Sequence, residues 1–216
     1  ERAGRMLNRL NAIFFVYASN LNVGPIPDIE KVVVPKLSEH EDSIYQNQKL
    51  FDRISAVYNS AAMKDGTLDL AQRRLVDDTY KTFLRKGAKL NSADKAKLSQ
   101  MNTRLARLFT DFSQNVLADE KGYVTWIQDK SELGGLPDSV ITAMANAAKE
   151  RGNKNGDWAI TNTRSSMDPF LTYSSNRPLR EKVWRNYYSR GDNGDKYDYN
   201  KIISEILKLR AARAKL

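Results

Sequence analysis

The sequence predicts a mainly α chain: an antiparallel helical bundle with a long central helix and a small two-stranded β element. Three observations predict it. Apolar residues recur at three- and four-residue spacing in most segments, the period of a helix with one covered face. One stretch, Ala93 to about Glu120, keeps that period without a Gly or Pro. At ~1.5 Å per residue it would reach roughly 40 Å. Only YVTWIQ (123–128) and WAITNT (158–163) alternate with period two, as half-buried strands do.

The elements follow in order. Met6, Leu7, Leu10, Ile13, Phe14 and Tyr17 form a helical stripe, which Asn20, Asn22, Gly24, Pro25 and Pro27 end. Asp28 is placed to cap a second helix through Ile29, Val32 and Val33, which Pro35 is expected to kink or divide. From Lys36 the pattern runs on through Leu37, Ile44, Tyr45, Leu50, Phe51, Ile54, Val57 and Tyr58. Asp65-Gly66 is a turn. Asp69 then begins a helix carrying Leu70, Leu75, Tyr80, Phe83 and Leu84, which closes near Gly87. Asn91-Ser92 cap the long helix, and Asp94 suits its positive end. Its stripe of Leu98, Met101, Leu105, Leu108, Phe109, Phe112 and Val116 is too broad for one partner, so several neighbours must cover it.

Lys121-Gly122 is the one candidate boundary, and the chain otherwise reads as one helical unit with a β insertion. Leu133 to Asp138 launches a helix from about Pro137 with Val140, Ile141, Met144 and Ala148. The two strands flank that helix and are expected to pair, with Trp126 and Trp158 as packing residues. A helical turn begins near Met167. Pro178 sits just inside the next helix, with Leu179, Val183, Trp184, Tyr187 and Tyr188 on one face and Gly191 as its stop. Tyr199 or Asn200 starts the last helix, striped by Ile202, Ile203, Ile206 and Leu207. The chain ends at Leu216 without a Gly, Asn or Pro stop signal, as expected of a cut inside or just after a helix.

Composition excludes several chemistries. The 216 residues are 41% hydrophobic and 28% charged, an ordinary composition for a chain with a substantial core. No window approaches the ~18 consecutive apolar residues that span a membrane, so no membrane partner is expected. The net charge is +9, but Lys and Arg are spread among 26 acidic residues. There is no arginine-rich arm, so the basic balance reads as a solvated helical surface and no nucleic-acid partner is expected. Without cysteine there are no disulfides, thiolate metal sites or cysteine nucleophiles. The single histidine, His40, lies among Ser38, Glu39, Glu41 and Asp42 and reads as an exposed surface residue. One histidine cannot make the H-E-x-x-H pair of a zinc peptidase. There is no G-x-S-x-G and no phosphate-binding glycine loop. No catalytic residue and no metal ligand is assigned.

Several runs recur in one order. They are Phe14-Phe15 before an Asn-rich turn; Pro35-Lys36-Leu37 leading to His40; Phe83, Leu84, Arg85, Gly87, Ala88 and Leu90; and Phe112, Ser113, Asn115, Val116 and Leu117. They continue with Leu133-Gly134-Gly135-Leu136-Pro137, then Phe170, Leu171, Tyr173, Asn176, Arg177, Leu179, Arg180, Glu181 and Trp184, and finally Leu209, Arg210, Ala214 and Leu216. Together they resemble the M3 family of zinc metallopeptidases, in its peptidyl-dipeptidase (dipeptidyl carboxypeptidase) and oligopeptidase A branch. Val23-Gly24-Pro25, Tyr199 and Ala212 depart from the family pattern.

The resemblance implies that residues 1–216 are the N-terminal helical region of a larger metallopeptidase, with a β element around 123–163 and the catalytic zinc domain absent. In such enzymes a helical part faces the catalytic part across a channel that admits short peptides. The implied partners are the missing C-terminal catalytic part and short peptides. Zinc belongs to the parent enzyme and none to this chain, so the piece alone is expected to be inactive. Arg177 and Arg180 are the candidate channel or interdomain contacts. A cytoplasmic location is expected, with the periplasm left open. The rival expectation is a stand-alone basic helical interaction module without enzymatic activity.

Overall fold

The computed structural model describes residues 4–216. Among them are nine α-helices and a two-stranded antiparallel sheet, so the chain is mainly α. The helices are α1 (Arg5–Asn20), α2 (Ile26–Tyr45), α3 (Gln48–Tyr58), α4 (Leu70–Arg85), α5 (Ser92–Gly122), α6 (Asp138–Glu150), α7 (Arg164–Tyr173), α8 (Arg177–Tyr188) and α9 (Asn200–Arg213). The strands are β1 (Val124–Ile127) and β2 (Trp158–Thr161). The chain forms two compact units, Glu1–Asp111 with Ser204–Leu216, and Phe112–Ile203.

In the first unit, local chemistry sets the helix starts. Asp69 and Gln72 form a reciprocal capping box on α4: the Gln72 N–H donates to Asp69 Oδ1 at 2.8 Å, and the Asp69 N–H donates to Gln72 Oε1 at 3.1 Å. Asn91 Oδ1 accepts the Asp94 N–H at 2.9 Å at the head of α5. Asn47 caps α3 by accepting the Leu50 N–H at 3.0 Å, a break inside a pattern that had read as continuous. Antiparallel α3 and α4 close on a ladder of rings. Tyr58 stacks on Tyr80 at 3.9 Å, Tyr80 on Phe51 at 5.6 Å and Phe51 on Phe83 at 6.2 Å, and Tyr45 meets Phe83 edge-on at 4.9 Å.

Three expectations are corrected here. α2 begins at Ile26, not after Asp28: Pro27 occupies its first turn, where the missing N–H costs nothing, and Asp28 lies inside that turn. Pro35 does not divide α2. It is buried within an unbroken helix that gives up one hydrogen bond there. The α1 stripe is not a core face: Ala18 is the buried residue of α1, and Met6 is 70% exposed.

In the second unit, β1 and β2 pair with Trp126 opposite Ala159 and Ile127 opposite Trp158. Ile127, Leu136, Met144, Ile160, Phe170 and Val183 belong to one buried cluster, against which Trp158 packs. The alternation expected of β2 fails because Ala159 and Ile160 are both buried, so the strand is covered on both faces. Gly135 shows why a Gly-Gly pair precedes α6. Its φ is +83°, and a Cβ there would collide with the Tyr173 carbonyl oxygen and the Ser175 nitrogen. Gly135→Ala is expected to lower stability by about 2–3 kcal/mol, combining the left-handed backbone with backbone overlap; equilibrium urea unfolding checks it.

Candidate functional site

The sequence motif around Arg177 and Arg180 lies at the start of α8. The approach to it is fixed. Ser174 is buried, and its Oγ accepts the Asn176 N–H at 3.2 Å. Asn176 caps α8 by accepting the Leu179 N–H on Oδ1 at 3.1 Å. Buried Val183, with Leu179 and Tyr187, seats the helix on the Phe170 cluster. Asn176→Ala is therefore expected to cost about 1 kcal/mol and to fray the first turn of α8, visible as faster amide exchange at Leu179.

That seating turns Arg177, Glu181, Trp184, Arg185 and Tyr188 outward. Trp184 and Tyr188 were expected on the covered face, but Trp184 is 48% exposed and Tyr188 is exposed as well. Their rings pack on each other at 5.4 Å instead. Arg185 is held by Glu181 at 2.7 Å, and Arg164 by Asp168 at 2.9 Å. Arg177 and Arg180 differ. Arg177 is exposed and Arg180 half-buried, and neither guanidinium makes an ion pair or a hydrogen bond among the described residues. Both lie in the first turn of α8, which holds no acidic residue. Cations at the positive end of a helix do not favour the helix, so helix stability does not explain these two arginines.

A buried carboxylate that the sequence did not single out lies elsewhere in the second unit. Asp119, near the end of α5, is 0% exposed. It accepts the Gly191 N–H, and it accepts from Asn193 Nδ2 at 3.4 Å. Asp198 Oδ1 accepts the Asn193 N–H at 2.8 Å, and the Tyr199 hydroxyl donates to the Arg190 carbonyl. Arg190 pairs with Glu120, and Tyr123 donates to Asp195 at 2.9 Å. Burial pushes the Asp119 carboxyl above the usual carboxylate range, and the Gly191 N–H opposes this. Local pattern holds no signal for Asp119, because its partners Gly191 and Asn193 are more than seventy residues away.

His40 lies exposed on α2, and its backbone carbonyl accepts the Ser43 hydroxyl at 2.7 Å. Among the described residues no group of three or more His, Asp or Glu side chains is placed to hold a metal ion. No described helix is long and apolar enough to cross a membrane.

No family model matches the chain. Individual proteins do. The chain is 32% identical to a dipeptidyl carboxypeptidase of Escherichia coli over 216 residues, which is 100% of this chain and 31% of that protein. It is 33% identical to oligopeptidase A of Haemophilus influenzae over 220 residues, again 100% of this chain and 31% of the relative. It is 30% identical to an organellar oligopeptidase A of Arabidopsis thaliana over 224 residues, 28% of that protein. The chain thus spans about a third of the length of the relatives it matches. The chain is similar along its whole length to peptidases of the dipeptidyl carboxypeptidase and oligopeptidase A type, as the N-terminal portion of an M3 peptidase would be.

Proposed function

We propose that this chain is the N-terminal, non-catalytic wall of the substrate channel in a zinc-dependent peptidyl-dipeptidase, an enzyme that releases dipeptides from the C-termini of short peptides. The observation that carries the reading is the match along the whole chain to a dipeptidyl carboxypeptidase three times its length. The lack of a fitting zinc ligand set among the described residues is compatible with metal chemistry performed by the remaining part. In this reading the catalytic part and short peptides are the partners. Arg177 and Arg180 face one of them, which accounts for two cations left without a counter-charge in the first turn of α8.

The test is a zinc titration of the purified chain, followed by assay on a blocked tetrapeptide and on a peptide with a free C-terminus. The expected result is neither stoichiometric zinc nor metal-dependent cleavage. Stoichiometric zinc with cleavage would overturn the non-catalytic assignment. A coding sequence that lacks an H-E-x-x-H motif downstream would overturn the parent enzyme. In that parent, Arg177→Ala and Arg180→Ala are expected to raise KM several-fold at nearly constant kcat if they hold peptide carboxylates.

A further inference from the structure

The first unit contains a groove that the proposed function does not use. α2, the end of α4, α5 and α9 enclose about 1010 Å³. Its floor is apolar, formed by Leu37, Leu98, Leu105 and Phe109, of which Phe109 is 46% exposed. Its rim is cationic: among the described residues Arg85, Lys86, Lys89, Arg210 and Arg213 line it against two carboxylates, Glu41 and Asp42. Glu41 is committed, and Asp42 through one oxygen only, its Oδ2 having no hydrogen-bond partner among the described residues. Glu41 accepts from Lys86 at 2.8 Å, and buried Asp42 accepts from Asn102 at 2.8 Å. Asn102 Oδ1 in turn accepts from Arg213 at 3.1 Å. Arg85, Lys89 and Arg210 make no ion pair among the described residues.

We propose that this groove docks an acidic amphipathic helix of a partner protein. Its apolar stripe would lie on Leu98, Leu105 and Phe109, and its carboxylates would meet Arg85, Arg210 and Arg213. The volume is about that of two helical turns, taking a helix as roughly 11 Å across with a ~5.4 Å pitch. An apolar floor with an opposite-charge rim is the helix-in-groove arrangement. A second copy of this chain fits poorly, because at net +9 it would bring mainly cations to a cationic rim. Nucleic acid fits poorly too, since aliphatic side chains outnumber the two lining rings, Phe15 and Phe109, and two carboxylates interrupt the rim.

The experiment is a fluorescence anisotropy titration of the 216-residue chain with three labelled probes. One is a helical peptide with Leu and Phe at i, i+3, i+4 and i+7 and Glu elsewhere. The second carries Lys in place of Glu, and the third is a single-stranded DNA oligonucleotide. The acidic peptide is expected to bind at least about tenfold more tightly than the Lys peptide. The double variant Arg210→Glu/Arg213→Glu should lose about tenfold of that affinity and narrow the preference. Both arginines are exposed on or just beside the end of α9, and circular dichroism checks that the variant keeps its helix content. If it does not, Phe109→Ser with Arg85→Glu reads the same groove from α5 and α4. Equal affinity for the two peptides, affinity unchanged in the variants, or tighter DNA binding that displaces the peptide would each overturn the proposal. So would self-association of the chain that the groove variants abolish.

Discussion

Phe170→Ala is expected to lower the stability of the second unit by about 3–5 kcal/mol, the range for emptying a fully buried aromatic site. Phe170 is 0% exposed and lies in the cluster with Ile127, Met144, Ile160 and Val183, contributed by β1, α6, β2 and α8. Ile160 and Ile127 are held by the strand pairing, which limits how far the site can collapse. Against a total of about 5–15 kcal/mol for a folded domain, that loss is large. Urea unfolding measures it, and amide exchange at Ile127 and Ile160 should accelerate together. The contrast is Leu75→Ala on α4, where the side chain is exposed and the change should stay within ~0.5 kcal/mol. A small effect at Phe170 would mean that the cluster is not a single cooperative core.

Asp119→Ala should be the next most damaging change, at about 2–4 kcal/mol. It strands the Gly191 N–H and the Asn193 amide in a buried site, and each unmet donor costs about 1–3 kcal/mol. The segment after α8 should loosen, with faster amide exchange at Gly191 and Asn193. Asp119→Asn keeps an oxygen acceptor and removes the charge, so it should lose less. The pH dependence separates both variants from the unsubstituted chain, because neither variant keeps the carboxyl. Burial raises the folded-state pKa of Asp119 above its unfolded value. The stability tied to its proton is therefore fully present below the unfolded pKa and is lost as pH rises through the folded one. Asp119→Asn should remove that component, flattening stability across the mildly acidic range. An unchanged pH profile would show that Asp119 titrates as an exposed carboxylate does.

The sequence revealed what is decided within a few residues. Asp69 and Asn91 could be read as caps because their partners are three positions away. Period two found both strands and their pairing was expected, but a helix between two strands usually joins them in parallel, so their antiparallel direction is seen only in the fold. What failed was decided at a distance. The stripes of α1 and α8 were visible, but which edge of a stripe is covered depends on neighbours that periodicity does not contain. Trp184 and Tyr188 share a helix with buried Val183 and still face outward. Pro35 misled for the opposite reason: a local breaker is overruled by the packing that buries it. At the candidate site, Arg177 and Arg180 stood out by motif, but the missing counter-charge around them is visible only in three dimensions.

The distribution of aromatic types has a practical consequence. All three tryptophans, Trp126, Trp158 and Trp184, belong to the second unit, whereas the stacked ladder of the first is built from tyrosine and phenylalanine. Tryptophan emission therefore reports on the second unit alone, and far-ultraviolet circular dichroism reports on the whole chain. Coincident denaturation curves from the two signals would mean that both units melt as one body. Separated curves would give the stability of each unit from a single unlabelled sample.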